Sequence, residues 1–245
     1  MNKIVREKLK QVFILLIIII GFLGAIFIML KYKTEGETNL PYLPSKILII
    51  SSAEAVSKTE NPDNNKWNLD INQYNDIYIE IGKNGEYKKQ SNIKSVKIEN
   101  IYVSQPKVGT IKKYMPATVE DKLFTYDNNL EIVDSLTYEG AEENDTKNLK
   151  IGNQGGTALF RIVNENVSEF VSNEDAELTY NGSLLKLTNV NEEDLNVDVS
   201  FDLVIETNKL TYRGKVSFTL PCENLEEDGV AKKTIEYPNI VFKRE

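Results

Sequence analysis

Residues Val197–Leu220 read VDVSFDLVIETNKLTYRGKVSFTL. Val197, Val199, Phe201, Leu203 and Ile205 alternate with Asp198, Ser200 and Asp202. After Asn208-Lys209, Leu210, Tyr212, Gly214, Val216, Phe218 and Leu220 alternate in turn. A period of two marks strands with one buried face. With Asn208-Lys209 as a two-residue hairpin loop, Ile205 faces Tyr212, Leu203 faces Gly214, Phe201 faces Val216, Val199 faces Phe218 and Val197 faces Leu220. The other face sets Asp202 against Lys215 and Ser200 against Ser217. A slip of one residue would invert both faces, so the register is strongly specified. Lys209 suits the positive φ of a type I′ turn poorly, which leaves the loop type open.

The same punctuation continues on either side. From Lys46 on, β-branched and aromatic runs alternate with Asn, Asp, Gly and Pro breaks, the pattern of a sandwich or barrel. Strands are predicted over 47–51, 67–71, 76–81, 95–103, 110–114, 130–138, 157–163, 167–171, 178–180, 184–187, 197–207, 210–220 and 234–242. Val96 and Ile98 share one parity, Ile101 and Val103 the other, which asks for a β-bulge near Glu99-Asn100. Ile235 and Tyr237 shift parity to Ile240 and Phe242 across Pro238, which asks for an edge strand or a bulge. Thr118-Val119-Glu120-Asp121 has the form of a capping box and predicts a short helix through Phe124. The polar run 140–148 (GAEENDTKN) divides the β region. We read one sandwich over 46–245, the alternative being two halves, 46–139 and 149–245.

Far upstream, Val12–Leu30 reads VFILLIIIIGFLGAIFIML, without a polar side chain. As a helix it is roughly 28 Å long, close to the ~30 Å hydrocarbon core of a bilayer. Lys3, Arg6, Lys8 and Lys10 against Glu7 give the preceding flank a charge of +3, while Lys31, Lys33, Glu35 and Glu37 cancel. The Lys/Arg excess predicts that residues 1–11 are a short cytoplasmic tail, with the C-terminal bulk outside. A cleaved signal peptide has a shorter apolar region and a small-x-small site. Here the run ends in Ile28-Met29-Leu30-Lys31, and the stretch before Ala53-Glu54-Ala55 is too short to serve. The run is therefore read as an uncleaved, single-pass signal anchor. Residues 31–45 are read as a stalk, in which Pro41 and Pro44 hold Leu40–Pro44 extended. The expected fold class is mainly β: one N-terminal transmembrane helix followed by an antiparallel β-sandwich outside the membrane.

Four of the chain's 29 Lys and Arg and one of its 37 Asp and Glu precede the apolar run, so the part from Lys31 onward has a net charge of −11. That argues against a nucleic-acid partner, which needs a basic footprint. It also predicts repulsion from anionic lipid headgroups. The chain has no His, which excludes His-based triads and His-ligated zinc. The single Cys222 cannot close an intrachain disulfide, so the outer domain relies on its apolar core.

Gly152-Asn153-Gln154-Gly155-Gly156-Thr157 lacks the Lys and the following helix of a phosphate loop and is read as a turn with close backbone approach. Acidic clusters at 142–145, 174–175, 192–194 and 226–228 carry the hard oxygens that suit Ca²⁺, but none has the spacing of a calcium loop, and solvated loop charge is the expectation. Trp67, in step with Leu69 and Ile71, is read as core. No catalytic, cofactor-binding or metal residue is assigned, and no cofactor is expected. The expected function is binding, scaffolding or surface assembly, with a protein or cell-envelope polymer as partner. The alternative is a carboxylate-dependent hydrolase of cell-wall polysaccharide. A cleft with two carboxylates about 5–10 Å apart would favour the hydrolase. A flat or Tyr-rich sheet face would favour binding.

Overall fold

The computed structural model describes residues 3–35, 39–57, 68–116, 129–142, 149–171, 183–188 and 190–245. Helix α1 (Lys3–Glu35) contains the apolar run. Within it, Lys10–Met29 is long and apolar enough to cross a membrane, and none of it is buried against the rest of the protein. An apolar span without a polar stripe, left unburied by the rest of the protein, fits lipid surroundings.

The β region forms two six-stranded sheets packed face to face. The first runs β11 (Val230–Glu236), β1 (Tyr42–Ser57), β2 (Asn68–Lys83), β8 (Gly156–Val171), β4 (Thr110–Pro116), β5 (Asn129–Glu131). The second runs β12 (Phe242–Arg244), β10 (Thr211–Thr219), β9 (Asp198–Thr207), β3 (Ile93–Val103), β6 (Ser135–Gly140), β7 (Leu149–Ile151). Pairing is antiparallel except between β6 and β7. Each sheet draws strands from both sides of the polar run 140–148.

The β9–β10 hairpin has the predicted register, from Ile205 opposite Tyr212 to Val199 opposite Phe218. Neither Asn208 nor Lys209 takes a positive φ. The Thr207 hydroxyl closes the loop instead: it donates to the Leu210 carbonyl at 2.8 Å and accepts from the Leu210 amide at 3.1 Å. The β3 bulge falls where parity placed it, with a register shift between Glu99 and Tyr102 and Asn100 at φ 53°. Across Pro238 the chain does more than bulge, because β11 is an edge strand of the first sheet and β12 an edge strand of the second. Tyr237, at φ 45°, starts the crossing.

Several boundaries differ from the sequence reading. Residues 68–71 and 76–81 belong to one long strand, β2, whose alternation continues through Gln73 and Asn75; polar residues facing inward mimic a break. Likewise β8 unites 157–163 and 167–171 across a bulge at Asn166 (φ 55°), whose amide donates to Asn72 Oδ1 at 2.8 Å. Ser183–Lys186 is a helical turn, α2, rather than a strand; Leu185 is buried there and the Thr188 hydroxyl donates to its carbonyl at 2.8 Å. The extended spacer over Leu40–Pro44 gives way to structure, for Leu40 and Tyr42 are buried and β1 already pairs at Tyr42. Pro44 is tolerated because β11 covers β1 only from Lys46 onward and a register shift follows it. The capping box at 118–121, Trp67 and strand 178–180 lie outside the described residues.

The main core lies between the sheets. Phe160 of the first sheet meets Phe201 of the second edge to face at 5.3 Å, and Phe201 meets Phe218 at 6.1 Å. Ile47, Ile49, Ile77, Ile79 and Ile98 surround them, fully buried. Burying each such side chain stabilises the fold by about 1.5–3 kcal/mol relative to exposure. Strands β1, β2 and β8 have 16 residues each and outrun the second sheet. Their overhang is covered by α2, a 3₁₀ turn (Glu192–Leu195) and α3 (Leu225–Asp228), which enclose a second cluster of Leu69, Ile71, Val167, Leu185, Leu195 and Leu225. Between the two clusters lies a fully buried polar row of Ser51, Gln73, Asn75 and Asn164.

Candidate functional site

The two outer faces of the sandwich differ chemically. On the second sheet the outward side chains are mainly charged. Arg213 binds Glu99 (2.8 Å), Asp202 (3.4 Å) and Glu245 (2.5 Å). The hydrogen bonds it donates to Glu245 and Glu99 raise its pKa further, so it stays a cation. Lys150 pairs with Glu139 at 3.3 Å and Lys97 with Glu206 at 3.9 Å.

On the first sheet the outward face is aromatic and aliphatic. Ala158, Phe160 and Ile162 point into the core, so Leu159, Arg161 and Val163 point out. Yet Leu159 and Val163 are only 3% and 2% exposed. Register places Tyr78 beside Leu159, Asp76 beside Arg161 and Tyr74 beside Val163 on β2, with Leu48 and Ile50 beyond them on β1 and Tyr114 flanking Arg161 on β4. At the centre Arg161 grips Asp76 through Nε (2.5 Å) and Nη2 (2.9 Å), and its guanidinium carbon lies 5.1 Å from the Tyr74 ring centre. This is a bidentate, charge-assisted pair with a cation–π contact. Burial, then the neighbouring Asp76 carboxylate, pushes the Tyr78 hydroxyl pKa up. Burial and Glu165 do the same for Tyr114, which donates to Glu165 at 3.3 Å. Two further pairs lie on this face: Lys112 with Glu165 at 2.9 Å and Lys46 with Glu80 at 3.1 Å. The result is a tyrosine-rich face with an ion pair at its centre, on an acidic molecule. Amphipathic aromatic rings of this kind supply large contact area with little conformational entropy to lose.

A separate groove of about 500 Å³ lies where the chain leaves β10 and enters β11, lined by Thr219, Cys222, Glu223, Asp228, Lys232 and Lys233. Burial, with Glu192 and Glu223 nearby, raises the Cys222 pKa and holds it as a thiol. A thiol so placed is a poor nucleophile. The Lys233 amine is turned to the Thr219 carbonyl at 3.2 Å.

The sequence features singled out for chemistry fall elsewhere. Asn153-Gln154 forms a turn, and Gly155 (φ 131°) brings the chain so close that a Cβ there would stand 2.5 Å from the Ile81 carbonyl. Glu192-Glu193-Asp194 forms the 3₁₀ turn, where the hydrogen bond from Lys107, at 3.2 Å, lowers the Asp194 pKa. Glu226-Glu227-Asp228 lies in α3, and 174–175 and most of 142–145 are outside the described residues. Among the described residues no three His, Cys, Asp or Glu side chains converge to hold a metal ion. Sequence reasoning noted Tyr78 as a strand residue but missed the Arg161–Asp76 pair, because cross-strand partners 85 positions apart leave no local signal. Comparison with protein-family models, with curated proteins and with solved structures finds no match to this chain.

Proposed function

We propose that this chain is a membrane-anchored binding or scaffold protein, acting through the outward face of its first sheet. In this reading α1 spans the membrane with the N-terminus in the cytoplasm, and the sandwich stands outside as a partner site for a protein or cell-envelope polymer. The observation that carries the proposal is the Tyr74–Tyr78–Tyr114 strip around Arg161 and Asp76 on an outward sheet face, an arrangement suited to contact. The orientation rests on the +3 flank before the apolar run.

Site-specific photocrosslinking in cells tests the binding face. A crosslinker at Tyr78 is expected to capture a discrete partner, and one at Lys215, on the charged outer face of the second sheet, to capture none. Failure at both positions, together with release of fragments from envelope polysaccharide by the purified chain, would replace this reading with the hydrolase. A reporter fused after Glu245 is expected to be active only outside the cytoplasm.

A further inference from the structure

Charge is unevenly distributed along the long axis of the sandwich. Strands β1, β8 and β10 all start at one end, where the loops 84–92, 152–155 and 208–210 gather around Tyr42. Its hydroxyl contacts the carbonyls of Ser91 and Asn153, the latter at 3.2 Å. Asn84 holds the Leu40 carbonyl at 2.8 Å, and Asn208 reaches the Asn92 carbonyl at 3.1 Å. Lys83, Lys88, Lys89, Lys94 and Lys209 surround this end, all exposed. The described acidic residues at this end are Glu86 and Glu142 in its loops and, at the edge of the second sheet beside Thr211, Glu206 and Glu245, the last two taken up by Lys97 and Arg213. The opposite end is acidic, with Glu192, Glu193, Asp194, Glu226, Glu227 and Asp228 on its 3₁₀ turn and α3.

These five lysines differ in pairing from six others in the domain. Lys46, Lys97, Lys107, Lys112, Lys150 and Lys186 each have a carboxylate partner. Among the described residues, none of the five at the Tyr42 end has one within 4.0 Å; Lys209 Nζ donates to the Gln90 carbonyl instead, at 2.7 Å. Unpaired cations gathered at one end of a domain with net charge −11 leave that end ready for an external anion.

The covalent chain says which anion is near. Six residues separate Glu35, the last of α1, from Tyr42, the first of β1. Their seven Cα steps span at most about 25 Å. We propose that the Tyr42 end of the sandwich docks on anionic lipid headgroups of the membrane that α1 enters. This rests on the anchor reading but not on which side of the membrane the domain occupies. The net charge alone predicts repulsion; the distribution reverses it. The surface potential decays over about 8 Å at physiological salt, while β1 alone is about 53 Å long at ~3.3 Å per residue. The lysines therefore feel the lipid and the acidic end does not, so docking also holds the sandwich upright.

The full chain in lipid nanodiscs tests this. A fluorophore on Gln90→Cys, in a Cys222→Ser background, reports the Tyr42 end, and a fluorophore on native Cys222 reports the far end; a headgroup-attached quencher reads proximity. Discs with about one third phosphatidylglycerol are expected to quench the Gln90 label about threefold more than phosphatidylcholine discs. About 0.5 M salt should remove the difference. The variant K88E/K89E/K94E should lose the lipid dependence while keeping its circular dichroism spectrum, and the Cys222 label should not respond. Equal quenching in both lipids overturns the proposal, as does a folded triple variant that still responds. If soluble polyphosphate shields the Gln90 label while anionic lipid leaves it unchanged, the ligand is a polymer and the lipid proposal fails. A chain that never enters discs fails the anchor reading itself and takes the docking with it; the absence of disc-bound chain distinguishes that case.

Discussion

Arg161 and Asp76 stand on a sheet surface, yet their side chains are only 9% and 18% exposed. An ion pair so enclosed is costly to break from one side, because the surviving charge keeps its burial and loses its partner. Arg161→Met alone is expected to cost about 3 kcal/mol in urea unfolding, and Arg161→Met with Asp76→Leu less than half of that. Equal losses would mean that the two charges are not coupled. Tyr138 is a second such residue. Its hydroxyl crosses between the sheets, donating to the Leu159 carbonyl at 2.7 Å and accepting from the Leu159 amide at 3.1 Å. Those two groups need it because β4 pairs with β8 only as far as Tyr114 opposite Arg161. Tyr138→Phe leaves both unpaired and should lower stability by about 1–3 kcal/mol, with no change in far-UV circular dichroism.

At the scale of elements, the polar row inside the long strands is the unexpected feature. Asn75 accepts from Ser51 Oγ at 2.6 Å and donates to the Ile162 carbonyl at 3.1 Å, and Gln73 donates to the Leu195 carbonyl at 3.2 Å. These bonds tie β1, β2 and β8 to the 3₁₀ turn where the second sheet ends. Asn164 lies in the same row, but neither of its amide atoms has a hydrogen-bond partner among the described residues. The two asparagines should therefore respond oppositely to the same change. Asn75→Leu is expected to destabilise by about 2 kcal/mol, having orphaned its partners. Asn164→Leu, of similar shape, should be neutral or stabilising. A loss of 2 kcal/mol at Asn164 would instead point to a bound water satisfying its amide. Gly109 packs on that amide at φ 81°, and a Cβ there would stand 2.3 Å from Asn164 Oδ1. Gly109→Ala should cost about 1–3 kcal/mol, measured by the shift in denaturation midpoint.

For the whole molecule, four buried or half-buried tyrosines give stability a definite pH dependence. Burial raises the pKa of Tyr42, Tyr78, Tyr114 and Tyr138 above the ordinary 10.0. Below pH 10 the folded and unfolded chains both hold these protons, and the contribution is complete. Above it the unfolded chain ionises first, so stability should fall as pH rises from about 10. Melting temperatures across pH 8–11 would show the decline, and part of the phenolate absorbance of the 12 tyrosines should appear only on unfolding. Interleaving makes a second prediction. Because both sheets need strands from either side of residue 148, a chain ending there should show no cooperative unfolding transition, whereas the full chain should show one.

How much of this was legible in the sequence depended on the distance over which each signal acts. Sequence alone determined the apolar length of α1, the β9–β10 register and the bulge at Asn100, since each is written in consecutive residues through hydrophobic length or a period of two. Tertiary structure alone decided that Gln73 and Asn75 turn inward without ending a strand, that Leu40 and Tyr42 leave the spacer for the core, and that residues 235–242 cross from sheet to sheet. It alone brought Arg161 to Asp76 and gathered unpaired lysines from two loops and the strand ends beside them. Those outcomes depend on which strands become neighbours, a choice made by the burial of the whole core and not by any local run of side chains.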